Sequence, residues 1–127
     1  MIRVQQDDFD VGAEIAKLKG ERRDIGAIVA FIGTMRDHAQ GRHVEEMLIE
    51  HYPGMTEAEL ERIESEARSR WPIQESLIVH RFGLVKVSDN IVLVLTASAH
   101  REAAFAAAEF LMDYLKSRAP FWKRESG

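Results

Sequence analysis

The residues best placed to do chemistry lie near the end of this sequence. Residues 114–124 hold Lys116, Arg118, Lys123 and Arg124 and no acid, in a chain whose net charge is −4. Two readings of this cluster stand side by side. Cations in the last turn of a helix complement the helix dipole, and that structural role alone would account for them. Yet Lys116 falls beside Phe105 and Met112 on a helical wheel, at the edge of the apolar stripe rather than opposite it. A lysine partly buried among other cations gives up its proton more readily. Such a lysine can serve as acid, base or nucleophile near neutral pH. Lys123 follows the Pro120 break, between Trp122 and Arg124, and a turn there would carry it back over Lys116.

Two further clusters suit an anionic ligand. Ser98-Ala99-His100-Arg101 opens a helix, where free N–H groups attract anions and an arginine fork fits a phosphate. Equally, Ser98 reads as a simple cap with His100 and Arg101 on the surface. Gly33-Thr34-Met35-Arg36-Asp37-His38 follows an apolar strand. Gly33 permits close backbone approach, and Arg36 sits where a strand end meets a loop. Arg101 and Lys116 lie on one helix, and fifteen positions correspond to roughly 22 Å at about 1.5 Å per residue. One small ligand cannot touch both within a chain, but across a two-fold dimer it can. Five histidines (His38, His43, His51, His80, His100) show no helical His-Glu-x-x-His pair and have no cysteine to help them. They read as ordinary polar residues, and no metal site or cofactor is expected. No glycine-rich phosphate loop and no nucleophile elbow is present.

The elements that must hold these groups follow from periodicity and breakers. Residues 2–5 read as a short strand, and Asp10 as the cap of a helix running to Lys19 and stopped by Gly20. Residues 25–33 form a continuous apolar run that reads as a strand buried on both faces. A polar loop (34–42) and a strand (44–51) come next. Thr56-Glu57-Ala58-Glu59 reads as a capping box, opening a helix that ends before Pro72 with Leu60, Ile63 and Ala67 inward. Strands at 77–84 and 91–97 flank a turn at Ser88-Asp89-Asn90. The last helix carries Ala104, Ala108, Leu111 and Leu115 as its stripe and ends at Pro120. The expectation is an α+β domain: a mainly antiparallel sheet covered by two helices.

Composition narrows the function. A chain of 127 residues fits one domain that can bury a core without staples. A pI of about 5.7 argues against a general nucleic-acid or membrane-surface role. The absence of cysteine excludes disulfides, a cysteine nucleophile and a persulfide carried on this chain, and it fits a reducing compartment. The start of the sequence lacks a signal-peptide pattern and no apolar run reaches membrane length, so a cytoplasmic location is expected.

Glu50-His51-Tyr52-Pro53-Gly54-Met55-Thr56, Ala67-Arg68-Ser69-Arg70-Trp71-Pro72, Val79-His80-Arg81-Phe82-Gly83, Ser98-Ala99-His100-Arg101 and the long segment 112–125 resemble, in order, the large catalytic subunit of molybdopterin synthase. The resemblance covers nearly the whole chain. It implies an α/β-hammerhead type of α+β fold and a central homodimer of large subunits within a heterotetramer. A small ubiquitin-like sulfur-carrier subunit docks at each end, and its Gly-Gly tail brings sulfur as a thiocarboxylate. The implied reaction adds two sulfurs to cyclic pyranopterin monophosphate to give molybdopterin. Carried over position by position, Lys116 and Lys123 match the family's catalytic lysines. Thr34, Met35 and Arg36 match its substrate loop, and His100 and Arg101 match residues from the neighbouring protomer. Arg124 and Glu125 match the binding segment, and Phe31 and Met112 match pocket-lining positions. Family chains commonly continue past the Trp-Lys-Arg-Glu segment with a polar tail, where this sequence stops at Gly127; Thr34 stands where some relatives have lysine.

Two other classes stay in view. One is a non-catalytic binding or scaffold dimer. The other is a single-strand nucleic-acid binder built on Phe121, Trp122, Lys123 and Arg124, where aromatics interleave with cations.

Overall fold

A computed structural model describes all of residues 1–127. In chain order the elements are β1 (Ile2–Gln5), α1 (Val11–Lys19), β2 (Ala27–Thr34), β3 (His38–Ala39), β4 (Arg42–His43), β5 (Glu46–His51), α2 (Met55–Arg70), β6 (Ile73–Arg81), β7 (Gly83–Lys86), β8 (Asn90–Ser98), α3 (Arg101–Ser117) and β9 (Phe121–Ser126). The main sheet has the order β1-β6-β8-β2, a second sheet has the order β7-β5-β9, and β3 and β4 form a small hairpin. Only the β1–β6 pair is parallel, so the α+β expectation of a mainly antiparallel sheet with helices holds.

Strand alternation distributes the core. On β6 and β8, Ile78 and Val94 face α2 and α3, where they meet Leu60, Ile63, Ala67, Leu111 and Tyr114. The intervening residues Leu77, Val79, Leu93 and Leu95 face the other way, against Phe9 and the Val11, Ile15 and Leu18 stripe of α1. Three helices therefore cover the main sheet, two on one face and α1 on the other, rather than two in all. A third cluster, with Met35, Val44, Met47, Ile49, Val85 and Ile91, fills the space under the second sheet.

Several local expectations change. The apolar run at 25–33 is an edge strand: β2 pairs only with β8, and Ala30, Phe31 and Ile32 are exposed. Hydrophobicity alone cannot distinguish a central strand from an edge whose cover comes from outside the chain. The strand at 77–84 is two strands in two sheets, because Gly83 at φ 93° lets the chain turn out of one into the other, a conformation other residues resist. The loop at 34–42 contains the β3–β4 hairpin. The cap of α2 is Gly54, whose N–H donates to Glu57 at 2.9 Å; Thr56 is buried two residues on, its hydroxyl bonded to the Tyr52 N–H and the Pro120 carbonyl. Residues 121–126, read only as a turn-back, form β9.

Where β2 begins, Gly26 lies against the loop before α3, and its N–H donates to the Ser98 carbonyl at 2.9 Å. A Cβ at this position would fall 2.1 Å from the Ala99 carbonyl oxygen, a backbone atom that cannot step aside. Gly26→Ala is expected to cost about 1–3 kcal/mol, as overpacking commonly does, and to lower the melting temperature by several degrees. An unchanged thermal melt would show that this strand start can shift freely.

Candidate active site

The site is made where the chain reverses after α3. Pro120 cannot extend the helix. The N–H groups of Arg118 and Ala119 both reach the Tyr114 carbonyl, at 2.8 and 3.1 Å, and the chain swings back. Buried Thr56 ties this turn to α2: its hydroxyl accepts from the Tyr52 N–H at 2.9 Å and donates to the Pro120 carbonyl at 3.2 Å. β9 then adds to β5 in antiparallel register, Phe121 opposite His51 and Lys123 opposite Ile49.

Alternation along β9 sorts its side chains. Phe121 and Lys123 share one face. Phe121 lies flat on the buried His80 ring, with centroids 3.7 Å apart and planes at 14°. Trp122 and Arg124 take the other face, Trp122 edge-on to Tyr52 at 4.0 Å and Arg124 paired with Glu50 at 2.9 Å. The aromatics and cations of this segment therefore do not line a single strip, which removes the arrangement a base-stacking platform would need.

Lys123 thereby reaches a cavity of about 380 Å³ between β2, the end of α3 and β9. Phe31, Thr34, Met112, Lys116, Lys123 and His80 line it, with Asp113 its one acid. The walls are largely apolar, while the two lysines supply positive charge. A larger cleft of about 440 Å³ lies beside α1. It too carries cations, Lys17, Lys19 and Arg22, but these share it with two carboxylates, Glu14 paired with Arg3 and Glu75 paired with Arg22, and no site residue singled out in the sequence lines it.

Five of the residues singled out in the sequence thus meet in one place: Phe31, Thr34, Met112, Lys116 and Lys123. Lys116 is exposed at the rim rather than half-buried, because the last turn of α3 overhangs solvent. The other six lie apart. Met35 is buried in the core beneath the second sheet. Arg36 is exposed on the loop beyond β2. His100 and Arg101 sit at the far end of α3, where His100 is the N-cap without a side-chain cap bond. Ser98 does not cap, since its hydroxyl donates to the Pro72 carbonyl at 2.9 Å. Arg124 points away with Glu50, and Glu125 approaches Arg42 at 3.9 Å.

His80 was not singled out. The signal was available in strand parity, since His80 lies two residues after core-facing Ile78 and so faces the same side. One group has ligand spacing for a metal: Asp37, His38 and His43, with ligand atoms within 4.8 Å of one another. It stands exposed on the β3–β4 hairpin. Its members are held by local contacts, His38 to Asp37 at 2.8 Å and His43 to Glu45.

A cavity with two lysines at its wall, in a chain with no cysteine, has the lining of a site for an anionic small molecule served by amines rather than thiols. Comparison with known proteins gives the family. The profile of the MoaE protein family matches residues 4–118. The molybdopterin synthase catalytic subunit of Mesorhizobium japonicum is 58% identical over 124 residues, covering 98% of this chain and 77% of that one. The molybdopterin biosynthesis MoaE protein of Burkholderia ambifaria superposes with a TM-score of 0.90 at 51% identity, over 100% of this chain and 83% of that one. A Helicobacter pylori structure, a complex of subunits 1 and 2 of molybdopterin-converting factor, matches at TM-score 0.81 over 98% of this chain and 83% of that one; at 18% identity it speaks to the fold alone. The chain belongs to the MoaE family, that of the sulfur-transferring catalytic subunits of molybdopterin synthase.

His80 also gives the fold a pH dependence. Burial, above all, lowers its pKa from 6.5 to about 4; the nearby Lys123 and His51 push the same way, while a bond to the Arg81 carbonyl opposes them. The unfolded chain therefore binds a proton near pH 6.5 that the folded chain refuses until about pH 4. Stability from this group is complete above about pH 6.5 and falls as pH drops toward 4, by up to roughly 3 kcal/mol. Chemical denaturation at several pH values between 7 and 4 should show this loss, and His80→Phe should flatten it. Equal slopes in the two proteins would mean that the acid sensitivity comes from other groups.

Proposed function

We propose that the cavity between β2, α3 and β9 is where this subunit transfers sulfur from a small partner to a phosphate-bearing pterin. The observation that carries the reading is the meeting of Lys116 and Lys123, seven positions apart across a proline break, at one cavity wall. The substrate is cyclic pyranopterin monophosphate and the product molybdopterin. Sulfur transfer to the pterin side chain requires protons to move and a phosphate ester to open, work suited to lysine amines near neutral pH. Phe31 and Met112 supply apolar wall for the pterin, and Thr34 a hydroxyl beside it.

The sulfur comes from outside the chain, which has no cysteine to carry it. The donor in this reading is a small ubiquitin-like subunit whose C-terminal Gly-Gly ends in a thiocarboxylate. The relative that is 58% identical is named a catalytic subunit, which supports a further subunit in the assembly. Arg36, exposed on the loop just beyond Thr34, is the arginine near enough in sequence to supplement the lysines, whereas Arg124 is paired with Glu50 on the other face of β9 and would have to leave it to reach the ligand. Met35, packed beneath the loop, fixes its course rather than touching the ligand.

His100 and Arg101 reach the site in this reading from a second copy. Arg101 and Lys116 occupy opposite ends of α3, roughly 22 Å apart by helix rise. The uncapped start of α3 offers N–H groups and an arginine to a phosphate. The exposed edge of β2, with Phe31 and Ile32 uncovered, supplies apolar surface that a homodimer would bury. The full assembly is then a heterotetramer.

Two experiments test this. Purified chain, thiocarboxylated small subunit and cyclic pyranopterin monophosphate are expected to yield molybdopterin. Lys116→Ala and Lys123→Ala should each lower turnover by at least about a hundredfold, in keeping with loss of acid–base catalysis, while still binding the small subunit. Product formation at wild-type rate by both variants sinks the assignment, and a folded Lys123→Ala that no longer binds the partner makes Lys123 a docking residue instead. Light scattering on the chain alone should give twice its 14.5 kDa mass. A monomer at micromolar concentration would remove His100 and Arg101 from a shared site.

A further inference from the structure

We propose that His80 is a positioning residue for Lys123: its neutral ring presents an unpartnered Nε2 lone pair to the cavity as an acceptor for the lysine ammonium, and its stack on Phe121 fixes the strand that carries the lysine. The functional consequence rests on the sulfur-transfer reading of Lys123 given above; the contact itself does not.

The tautomer of His80 follows from its partner. Nδ1 lies 2.8 Å from the Arg81 carbonyl oxygen, which can only accept, so Nδ1 carries the hydrogen. In a neutral imidazole this leaves Nε2 as an acceptor. Nε2 has no hydrogen-bond partner within the protein, yet it is not among the polar atoms sealed from solvent. His80 as a whole is only 4% exposed. Its remaining opening is the cavity it lines together with Lys116 and Lys123.

Strand geometry brings the lysine to that opening. Phe121 and Lys123 project from the same face of β9, and Phe121 is the residue stacked on His80. The groups facing His80 are Lys123 from β9 and His51 from β5, with Lys116 and Asp113 from α3 across the cavity. Arg81, next to it on β6, directs its guanidinium to the carbonyls of Gln6 and Asn90, each at 2.9 Å. In these mostly cationic surroundings a protonated ring would repel both lysines. Burial prevents that by keeping the ring neutral to about pH 4, so it meets an ammonium as an acceptor.

What this adds to the site is precision. Lysine is a point charge on a flexible four-carbon stem, and one anchored only by an exposed strand samples many positions. A misplacement of about 1 Å in a reacting group can cost on the order of a hundredfold in rate. Phe121 limits where the strand lies, and Nε2 offers the amine one fixed acceptor beside it.

The test uses the full chain with its thiocarboxylated small subunit. His80→Phe keeps a ring against Phe121 but has no nitrogen, whereas His80→Gln returns an acceptor oxygen. The expected result for folded His80→Phe is a kcat about ten- to a hundredfold lower, with KM within about threefold, as loss of alignment predicts. His80→Gln should recover part of the loss. Wild-type kcat in folded His80→Phe, or a purely KM effect, overturns the proposal. A second arm needs no substrate and no His80 variant. Nitrogen-15 NMR of the imidazoles at pH 7 should show the His80 hydrogen on Nδ1, and an Nε2 resonance that moves in Lys123→Met. A hydrogen on Nε2, or a resonance indifferent to Lys123→Met, overturns the contact whatever the assay gives. A responsive Nε2 in a protein that makes no molybdopterin in any form, wild type included, upholds the contact and sinks the sulfur-transfer reading instead.

Discussion

The pairing of β9 with β5 is the interaction on which the site depends. Lys116 ends a helix and Lys123 follows a proline, so nothing local in the sequence holds them near each other. Backbone hydrogen bonds to β5 do so by fixing the direction of the returning chain, and strand alternation then decides which side chains face inward. The strand has little else to hold it. Apart from Phe121, every residue from Trp122 to Ser126 is exposed. Its anchorage is concentrated at one end, where Thr56 grips the Pro120 carbonyl and Phe121 lies on His80. A segment fastened firmly at one end, and along the rest held by backbone bonds and exposed side-chain contacts, belongs to the less stable part of a fold. That is where a site that must admit a ligand is expected to lie.

Much of the scaffold was legible in the sequence because it obeys simple periods. Asp10 caps α1 through Ala13, Gly20 ends it, and Leu60, Ile63 and Ala67 recur at helical spacing on the buried face of α2. What could not be read depends on long-range placement. The run at 25–33 is as apolar as a central strand, yet lies at the sheet edge. Sequence reports how much cover a strand wants, not whether this chain supplies it. The split at Gly83 is a choice between two sheets that only the assembled core makes. β9 was unreadable for a related reason: of its inward residues Phe121, Lys123 and Glu125, only one is apolar, so no alternation marks it as a strand. The lysines themselves were legible by type and by resemblance. His80 was legible by parity with Ile78 but was passed over among five scattered histidines.

Charge explains why a buried neutral imidazole belongs beside two lysines. The protein is acidic overall, but its cavity gathers Lys116 and Lys123 against the single carboxylate of Asp113. Both lysines touch water, and screening acts over about 8 Å at physiological salt, so their repulsion is tolerable. A third positive charge, sealed in the wall, would be neither screened nor solvated. The histidine is kept neutral by burial and thereby offers the one thing the lysines lack, a hydrogen-bond acceptor that brings no charge.

The same helix that presents Lys116 limits what one protomer can do. α3 is a rigid rod from Arg101 to Ser117, and both of its ends attract anions, one through uncapped N–H groups and an arginine, the other through a lysine. A rod cannot fold its two ends around one small molecule. Either the two ends serve different ligands, or the start of another α3 must approach the cavity. The edge of β2 bears on that choice. Phe31 is at once a wall of the cavity and part of the uncovered apolar edge, so whatever covers that edge also closes the cavity. A second copy of the chain would satisfy both demands with one surface, because burying the edge would place its own elements beside the lysines. On the proposed homodimer, the exposed edge strand and the anion site with cations at one end only would be two aspects of one interface.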